Sequence, residues 1–215
     1  MKKALIVTGG QLDTHWAEEY LKNISYDVVI AADGGLAGCE KLGIQADYCL
    51  GDFDSLEGGA EGAKKLFGGD VKIYPCEKDD TDTWLAIKAA GELKCTEAVI
   101  IGGTGTRLDH VFANIGNLFL AQDMGMAVEL VDSHNKIYPG GKVNFFEKGS
   151  VYGKFISVLP YGGDATGVTY DGFKYNMAEG SLKSGSSLGV SNELLSEKGS
   201  ITVEKGRIVI FETRD

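Results

Sequence analysis

The chain has 215 residues, of which 43% are hydrophobic and 24% charged, and its formal net charge is −10. This length suits one large domain or two modest ones with a substantial core, and the composition is that of an ordinary globular protein. The acidic balance argues against a nucleic-acid-binding protein, which needs a basic face, and is compatible with simple solubility, with a cationic substrate or with an anionic substrate carried in by a metal ion.

The first part of the chain predicts strands that alternate with helices. Apolar, β-branched runs predict six strands with their turns, over KALIVTGG, DVVIAADGG, DYCLGD, VKIYP, EAVIIGG and AVELVD. Helical spacing of apolar residues predicts helices over DTHWAEEYLKNI, LAGCEKLGI, AKKLF, DTDTWLAIKAAGEL and DHVFANIGNLFLAQDM. Continuous apolar strands that alternate with helices are typical of a parallel sheet covered on both faces.

The pattern changes after Asp132, where short strands and glycine turns replace the alternation. No helix of any length is predicted there, and VEKGRIVIF predicts a terminal hairpin with Lys205-Gly206 as its turn. We therefore expect a boundary near residues 133–140, with an α/β domain before it and a small antiparallel β domain after it.

The four cysteines all precede this boundary, and no two of them form a CxxC pair; they are Cys39, Cys49, Cys76 and Cys95. A zinc site is therefore not expected. The opening residues, MKKALIVTGG, lack the long apolar segment and cleavage site of a signal peptide, and no apolar run is long enough to span a membrane. These features predict a reduced, cytoplasmic protein whose cysteines are small core residues.

Acidic residues and glycines follow the predicted strands of the first domain where each strand ends. In a parallel sheet, ligands gather at the carboxyl ends of the strands. The first five strands lead into GG, DGG, GDFD, CEKDDTD and GGTGTRLDH. One edge of the sheet therefore receives a cluster of charged residues, namely Asp33, Asp52, Asp54, Lys78, Asp79, Asp80, Asp82 and Arg107.

Each of these turns also has a purely structural explanation. Asp33 before two glycines is typical of a turn that leads into a helix, and Asp109 suits a helix N-cap. Acidic residues in DDTDT suit a helix N-terminus, where carboxylates favour the positive end of the dipole. The loop GGTGTRLDH matches neither common phosphate-loop pattern, although its glycines expose backbone N–H groups that could meet an anion.

The combination of these strand ends favours a ligand. Asp52 and Asp54 share a face, because residues i and i+2 of an extended segment point the same way. Two unit charges about 4 Å apart cost roughly 4 kcal/mol at an effective dielectric of about 20, a cost that a hard cation such as Mg²⁺ removes. Magnesium usually accompanies phosphate, and Arg107 and Lys78 suit phosphate oxygens. The strand ends therefore indicate a magnesium nucleotide and a phosphoryl-type transfer.

The ordered motifs AADGG, LGDFDS, KDDTDT and GGTGTRLDH resemble those of the thiamine pyrophosphokinase family. The resemblance spans nearly the whole chain and is looser in the β region, where it depends on GFKYNM and LGVSNE. Members of that family transfer pyrophosphate from ATP to the hydroxyethyl group of thiamine, whose oxygen attacks the β-phosphorus in line, and they release AMP.

The resemblance implies a Rossmann-like α/β catalytic domain over residues 1–135, a thiamine-binding β-sandwich over residues 136–215, and a homodimer with thiamine between the subunits. It implies that Asp52, Asp54 and Asp82 hold Mg²⁺ against the triphosphate and act as catalytic residues together with Arg107 and Asp109. It assigns to ATP the residues Asp33, Gly34, Lys78, Gly103, Thr104 and Asn114. It assigns Ser191 and Asn192 to thiamine, at the active site of the other subunit.

Alternatives remain open at this point. Trp84 follows TDT, where relatives often carry a polar or acidic residue. Family members can stack an aromatic ring on thiamine, and Phe173 and Tyr175 are the candidates here. The acidic pair also suits a magnesium-dependent phosphatase with Asp52 as the nucleophile. A non-catalytic regulator that binds nucleotide or thiamine is disfavoured, because the acidic residues and Arg107 are all intact.

Overall fold

The computed structural model describes residues 1–51, 62, 73–74 and 80–215. By its contacts the chain separates into two compact units, Met1–Ser133 (unit 1) and His134–Asp215 (unit 2). The predicted helix over AKKLF lies outside the described residues. Of the helices in the described ranges, none combines the length and the apolar character needed to cross a bilayer.

Six strands in the described part of unit 1 form a parallel sheet. They are β1 (Lys3–Val7), β2 (Val28–Ala32), β3 (Tyr48–Leu50), β4 (Ile73–Tyr74), β5 (Glu97–Ile101) and β6 (Ala127–Val131). Their spatial order is β4-β3-β2-β1-β5-β6, and each of these neighbours pairs in parallel. The central strands are buried along almost their whole length, which explains their continuous apolar runs. The predicted parallel sheet is confirmed.

Four of the predicted helices fall in the described part and are confirmed. They are α1 (Thr14–Leu21), α2 (Gly35–Leu42), α3 (Asp82–Glu92) and α4 (Leu108–Asp123). Side chains satisfy the first N–H groups of two of them, since Asp13 accepts from the Trp16 N–H and Thr81 from the Trp84 N–H. These caps explain why the helices begin where they do.

The strand order creates a crevice between β1 and β5. The chain builds outward from β1 through β2 and β3 to β4, and then returns to place β5 on the other side of β1. Connections that leave neighbouring strands in opposite directions open a gap at the carboxyl ends, which is where doubly wound sheets bind their ligands. The fold therefore places the loops after β1 and β5 at the expected binding edge.

Unit 2 is an antiparallel β domain, as predicted. Its strands are β7 (Asn135–Pro139), β8 (Val143–Glu147), β9 (Phe155–Asp171), β10 (Met177–Leu182), β11 (Lys198–Thr202) and β12 (Lys205–Thr213). They run in the order β7-β12-β9-β11-β8, and β10 also pairs with β9. The first half of β9 pairs with β12 and the second half with β10 and β11, and both halves contribute to one core. Strand β9 therefore belongs to both parts of the sheet, and these parts pack on a common core.

The predicted terminal hairpin is wrong. β11 and β12 lie on opposite sides of β9, so the two strands never pair with each other. Gly206 has φ +94°, and a Cβ at this position would lie 2.5 Å from the Asp164 carbonyl oxygen. Gly206 is therefore needed because the backbone passes close to β9 at this point, and not because it forms a hairpin turn. The local sequence is the same in both cases, so it does not distinguish them.

The described cysteines are free and buried, as predicted for core residues; they are Cys39, Cys49 and Cys95, while Cys76 lies outside the described residues. Burial raises the pKa of both the Cys39 and the Cys49 thiol to about 12. Because the thiolate is the reactive form, we expect these two side chains to react slowly in the folded protein.

We expect Cys39 and Cys49 to resist alkylation by iodoacetamide in the native protein at pH 8. With a pKa of about 12, roughly one thiol in 10⁴ is ionised at that pH, and neither side chain is accessible. Peptide mass spectrometry before and after unfolding in guanidinium measures the difference residue by residue. Rapid labelling of either cysteine in the native protein would contradict the structure.

Candidate active site

A cavity of about 800 Å³ opens at the carboxyl edge of the unit 1 sheet. Its walls are the loops after β1, β2 and β5 and the first turns of α3 and α4. The lining residues are 8–11, 32–33, 81–83, 102–107, 109–111 and 113–114. This is the crevice between β1 and β5 that the strand order creates, and its volume falls in the range of small-molecule sites.

The cavity brings together most of the predicted nucleotide-side residues that the structure describes. Its lining includes Asp33, Asp82, Gly103, Thr104, Arg107, Asp109 and Asn114. Gly34 lies beside it, with its Cα 3.1 Å from the position of a Cβ built on Gly9. Asp52, Asp54 and Lys78 lie outside the described residues. Ser191 and Asn192 belong to unit 2.

Backbone hydrogen bonds join the loops after β1 and β5. The Gly10 N–H donates to Gly102 O at 2.8 Å, and the Gln11 N–H donates to Thr104 O at 2.9 Å. A side chain at Gly10 would collide with both carbonyl oxygens, so only glycine allows this approach. These hydrogen bonds use carbonyl groups of the loop after β5. The backbone N–H groups of the same loop can therefore bind an anion.

Asp33 is held in an unusual backbone conformation at the end of β2. Its φ is +45°, which is uncommon outside glycine, and its N–H donates to Leu50 O at 2.6 Å. A Cβ on Gly51 would lie 3.0 Å from the Asp33 Cα. The end of β3, which directly precedes Asp52 in the chain, therefore lies against Asp33, and local strain of this kind is concentrated at functional sites.

Arg107 and Asp109 form a bidentate ion pair at the N-terminus of α4. Arg107 Nε donates to Asp109 Oδ1 at 3.3 Å, and Nη2 donates to Oδ2 at 2.6 Å. The hydrogen bond from Arg107 holds the pKa of Asp109 below its usual value and raises the pKa of Arg107. Both side chains are well exposed, so the pair adds little to stability. Its effect is to orient the guanidinium, which has donors beyond the two used here.

Two buried asparagines on one face of α4 connect this helix by hydrogen bonds to two other walls of the cavity. Asn114 Nδ2 donates to Gly103 O at 2.8 Å, which anchors the β5 loop. Asn117 Nδ2 donates to Thr81 Oγ1 at 3.2 Å, which anchors the N-terminus of α3 next to Asp82. Asn117 is not part of any motif that indicated the site from the sequence. Its signal was a second asparagine three residues after Asn114 in the otherwise apolar stretch NIGNLF.

Of the three predicted magnesium ligands, only Asp82 lies among the described residues. Within the described ranges, no three acidic, histidine or cysteine side chains lie close enough together to hold a metal ion. The cavity does contain the carboxyl groups of Asp33 and Asp82, which are the ligand type that Mg²⁺ prefers together with water. The predicted partners Asp52 and Asp54 lie outside the described residues. The magnesium assignment therefore stays a prediction that these donors suit.

Ser191 and Asn192 lie in a loop of unit 2 that bonds to β9 and to the segment at residues 173–175. Ser191 has φ +57°, and its N–H donates to Ser157 Oγ at 2.9 Å. The Asn192 side chain is buried and acts like a backbone group toward Tyr175. Its Nδ2 donates to Tyr175 O at 2.8 Å, and its Oδ1 accepts from the N–H groups of Tyr175 and Glu193. Asn192 therefore fixes the loop that presents Ser191 and Tyr175.

Comparison with known proteins identifies the family of this chain. The model of the thiamin pyrophosphokinase catalytic domain matches residues 18–130, and the model of the vitamin B1 binding domain of the same enzymes matches residues 143–208. The chain belongs to the thiamin pyrophosphokinase family.

Similar proteins cover the whole chain. A thiamine pyrophosphokinase of Bacillus subtilis is 29% identical over 222 residues, which cover 100% of both chains. A crystal structure of the B. subtilis enzyme has a TM-score of 0.88 at 28% identity, again over 100% of both chains. A thiamin pyrophosphokinase structure from Geobacillus thermodenitrificans gives a TM-score of 0.84 at 28% identity over 99% of this chain and 98% of that one. The predicted family and fold class are thus confirmed.

The aromatic residues considered for stacking on thiamine differ in solvent exposure. Phe173 is 2% exposed and makes edge contacts with Phe146 and Tyr170 in the core, so its ring cannot stack on a ligand. Tyr175 is 61% exposed, with Lys174 Nζ 5.6 Å from its ring centre. Trp84 is half-buried in the first turn of α3, with Lys88 Nζ 5.9 Å from its ring centre. Of the two candidates for stacking, Tyr175 remains.

We expect Asn192→Ala to lower the free energy of unfolding by about 2–3 kcal/mol, because it removes the buried amide that makes three hydrogen bonds to the backbone of Tyr175 and Glu193. Guanidinium denaturation followed by circular dichroism measures the change. Asn23→Ala is the matched control, since it removes one exposed hydrogen bond to Glu19 O and is expected to cost under about 0.5 kcal/mol. Equal costs for the two variants would mean that Asn192 does not hold the loop.

Proposed function

We propose that the chain is a thiamine pyrophosphokinase, which transfers pyrophosphate from ATP to the hydroxyethyl group of thiamine and releases AMP. The observation that carries this proposal is the match of both family domains, together with the gathering of the predicted phosphate-side residues in one cavity. The cavity has the size of a small-molecule site, and its lining includes the charged residues Asp33, Asp82 and Arg107.

In this reaction the thiamine oxygen forms a bond to the β-phosphorus, and the bond from that phosphorus to the oxygen of AMP breaks. AMP takes the electron pair, and the proton of the thiamine hydroxyl passes late to a carboxylate of the cavity. Positioning and charge neutralisation supply most of the catalysis in such transfers. Asp52, Asp54 and Asp82 would hold Mg²⁺, which supplies charge neutralisation on the phosphate oxygens when it is bound.

The chain's own residues have separate tasks in this proposal. Arg107 binds phosphate oxygens through its guanidinium, and Asp109 holds that group in the correct orientation. The β5 loop, anchored by Asn114, offers backbone N–H groups of Gly103 and Thr104 to the triphosphate. Asp33, Gly34 and Lys78 complete the ATP side.

We place thiamine between two subunits of a homodimer, where the loop that contains Ser191 and Asn192 of one chain helps to bind thiamine in the cavity of the other chain. Three exposed apolar or aromatic side chains near Ser191 support this placement, namely Tyr175, Leu188 and Val190. Exposed apolar groups next to a strained, hydrogen-bonded loop suit contact with a flat ring or a second protein surface. A reducing, cytoplasmic setting is part of the proposal, supported by the buried free thiols of Cys39, Cys49 and Cys95.

The test is to incubate the protein with ATP and Mg²⁺, with and without thiamine, and to quantify the products by chromatography. Formation of AMP and thiamine diphosphate in equal amounts, only when thiamine is present, is the expected result. Release of inorganic phosphate without thiamine would favour a phosphatase. Binding of ATP or thiamine without turnover would favour a regulator.

A further inference from the structure

Thr81 lines the cavity at the N-terminus of α3, and its hydroxyl oxygen accepts two hydrogen bonds. Its Oγ1 accepts from the Trp84 backbone N–H at 3.3 Å and from Asn117 Nδ2 at 3.2 Å. A hydroxyl oxygen has two acceptor positions and one proton. Because both partners are N–H groups that can only donate, the two acceptor positions of Thr81 are filled and its own proton must be given to a third group.

The residue that imposes this arrangement is Asn117. A backbone N–H bonded to a capping threonine still allows the hydroxyl proton to turn toward several acceptors, whereas a second donor removes that freedom. Thr81 lines the cavity and directly precedes Asp82, so the proton is available to an anionic ligand bound there. A fixed donor that needs no reorientation binds phosphate oxygen at a lower entropic cost.

Burial supports a specific role for Asn117. Its side chain is 8% exposed and is followed by the buried Leu118 and Phe119. Burying an amide in such surroundings costs free energy that a leucine of similar size would not require. The hydrogen bond to Thr81 offsets part of that cost, and Asn114 makes the equivalent bond to Gly103 from the same helix face. Helix α4 thus anchors two separate walls of one cavity through paired amides.

We propose that Asn117 is a positioning residue that fixes the Thr81 hydroxyl as a hydrogen-bond donor toward phosphate oxygens of the nucleotide. The proposal rests on the proposed function for the identity of the anion. Asn117 itself touches neither substrate, and it acts through Thr81 and through the N-terminal turn of α3, which carries Asp82.

The main test is Asn117→Leu, measured by steady-state kinetics and by calorimetric binding of α,β-methylene ATP with Mg²⁺. We expect the KM for ATP and the Kd of the analogue each to rise roughly three- to tenfold, the worth of one ordinary hydrogen bond. The KM for thiamine should change less than about twofold. Leu118→Val is the control, because it loosens the same helix and should lower Tm without changing the Kd.

A double-mutant cycle separates positioning from general loosening. In a Thr81→Val background the hydroxyl is absent, so adding Asn117→Leu should leave the Kd of the analogue unchanged. Asn117→Asp replaces the donor by an anionic acceptor of the same shape, which turns the Thr81 proton inward and adds negative charge near Asp82, so it should weaken binding at least as much as Asn117→Leu.

The possible failures are distinguishable. Wild-type affinity in Asn117→Leu or Asn117→Asp, or additive effects in the Thr81→Val background, would overturn the positioning role while leaving the enzyme assignment intact. A wild-type protein that binds the analogue but makes no thiamine diphosphate would overturn the proposed function, and the cycle would still decide the role of Asn117. Absence of nucleotide binding by the wild type would overturn both.

Discussion

Arg107→Ala is expected to lower kcat/KM for thiamine diphosphate formation by roughly 10²–10³-fold, the usual cost of removing one preorganised donor from a developing anion. The guanidinium lies in the cavity wall, and Asp109 holds it through two parallel hydrogen bonds. The loss should appear in kcat as well as in the KM for ATP, because charge on the transferred group changes in the transition state. Steady-state kinetics with each substrate varied in turn measures both parameters.

Graded substitutions show whether orientation or charge matters at Arg107. Arg107→Lys keeps the charge but loses the planar fork, so it should recover only part of the activity. Asp109→Asn removes the partner that orients the guanidinium and should have a smaller effect than Arg107→Ala. Arg214→Ala is the matched control, because that arginine stacks on Tyr152 in unit 2. A loss of activity in Arg214→Ala as large as in Arg107→Ala would show that the effect is not local.

The pH behaviour of this ion pair follows from the two pKa shifts. The hydrogen bond from Arg107 lowers the pKa of Asp109 in the folded protein. Any stability that this carboxylate contributes is therefore fully present at pH values above its pKa in the unfolded chain, and it is lost as the pH falls through the lowered pKa of the folded state. The pKa of Arg107 is raised, so the guanidinium stays charged at every pH used for assays. The pair is therefore ionised throughout the neutral range, and a neutral-range pH dependence of kcat must originate in another group.

The strand ends show why much of the site was accessible from the sequence. Continuous apolar runs fix which segments form the parallel sheet, and a parallel sheet brings its carboxyl ends to one edge whatever the details of packing. Asp33, Asp82 and Arg107 could therefore be assigned to one site before their positions were known, and the cavity contains all three. The DDTDT segment likewise indicates a helix N-terminus from residues within one turn of the chain, and α3 begins at Asp82.

The features that the sequence did not reveal depend on partners that are distant along the chain. The pairing of β12 with β7 and β9 joins segments tens of residues apart, whereas the wrong hairpin was inferred from adjacent residues alone. Asn192 bonds to Tyr175, 17 residues away, and Asn117 bonds to Thr81, 36 residues away. The positive φ angles of Asp33 and Ser191 are imposed by surrounding contacts, because neither residue type demands them.

Asp82→Asn, Asp52→Asn and Asp54→Asn are each expected to abolish turnover, with losses of at least about 10³-fold. Each change removes one negative ligand from the predicted magnesium set, and a bound metal ion contributes several kcal/mol of charge stabilisation in such reactions. The fold should persist, since Asp82 occupies the first turn of α3, where its charge is worth only about 0.3–1 kcal/mol to the helix. Product formation across a range of Mg²⁺ concentrations, together with Tm, measures both effects.

Asp80→Asn is the decisive control for the acidic set, because Asp80 carries the same charge two residues from Asp82 but bonds to Lys88 at 2.7 Å outside the cavity lining. If metal binding explains the losses, Asp80→Asn should keep activity within a few-fold of wild type, and the apparent Mg²⁺ affinity should fall only in the other three variants. If the net negative charge of this edge were what mattered, all four substitutions would reduce activity together. An Asp54→Asn enzyme that is active at ordinary magnesium would count heavily against the predicted metal assignment.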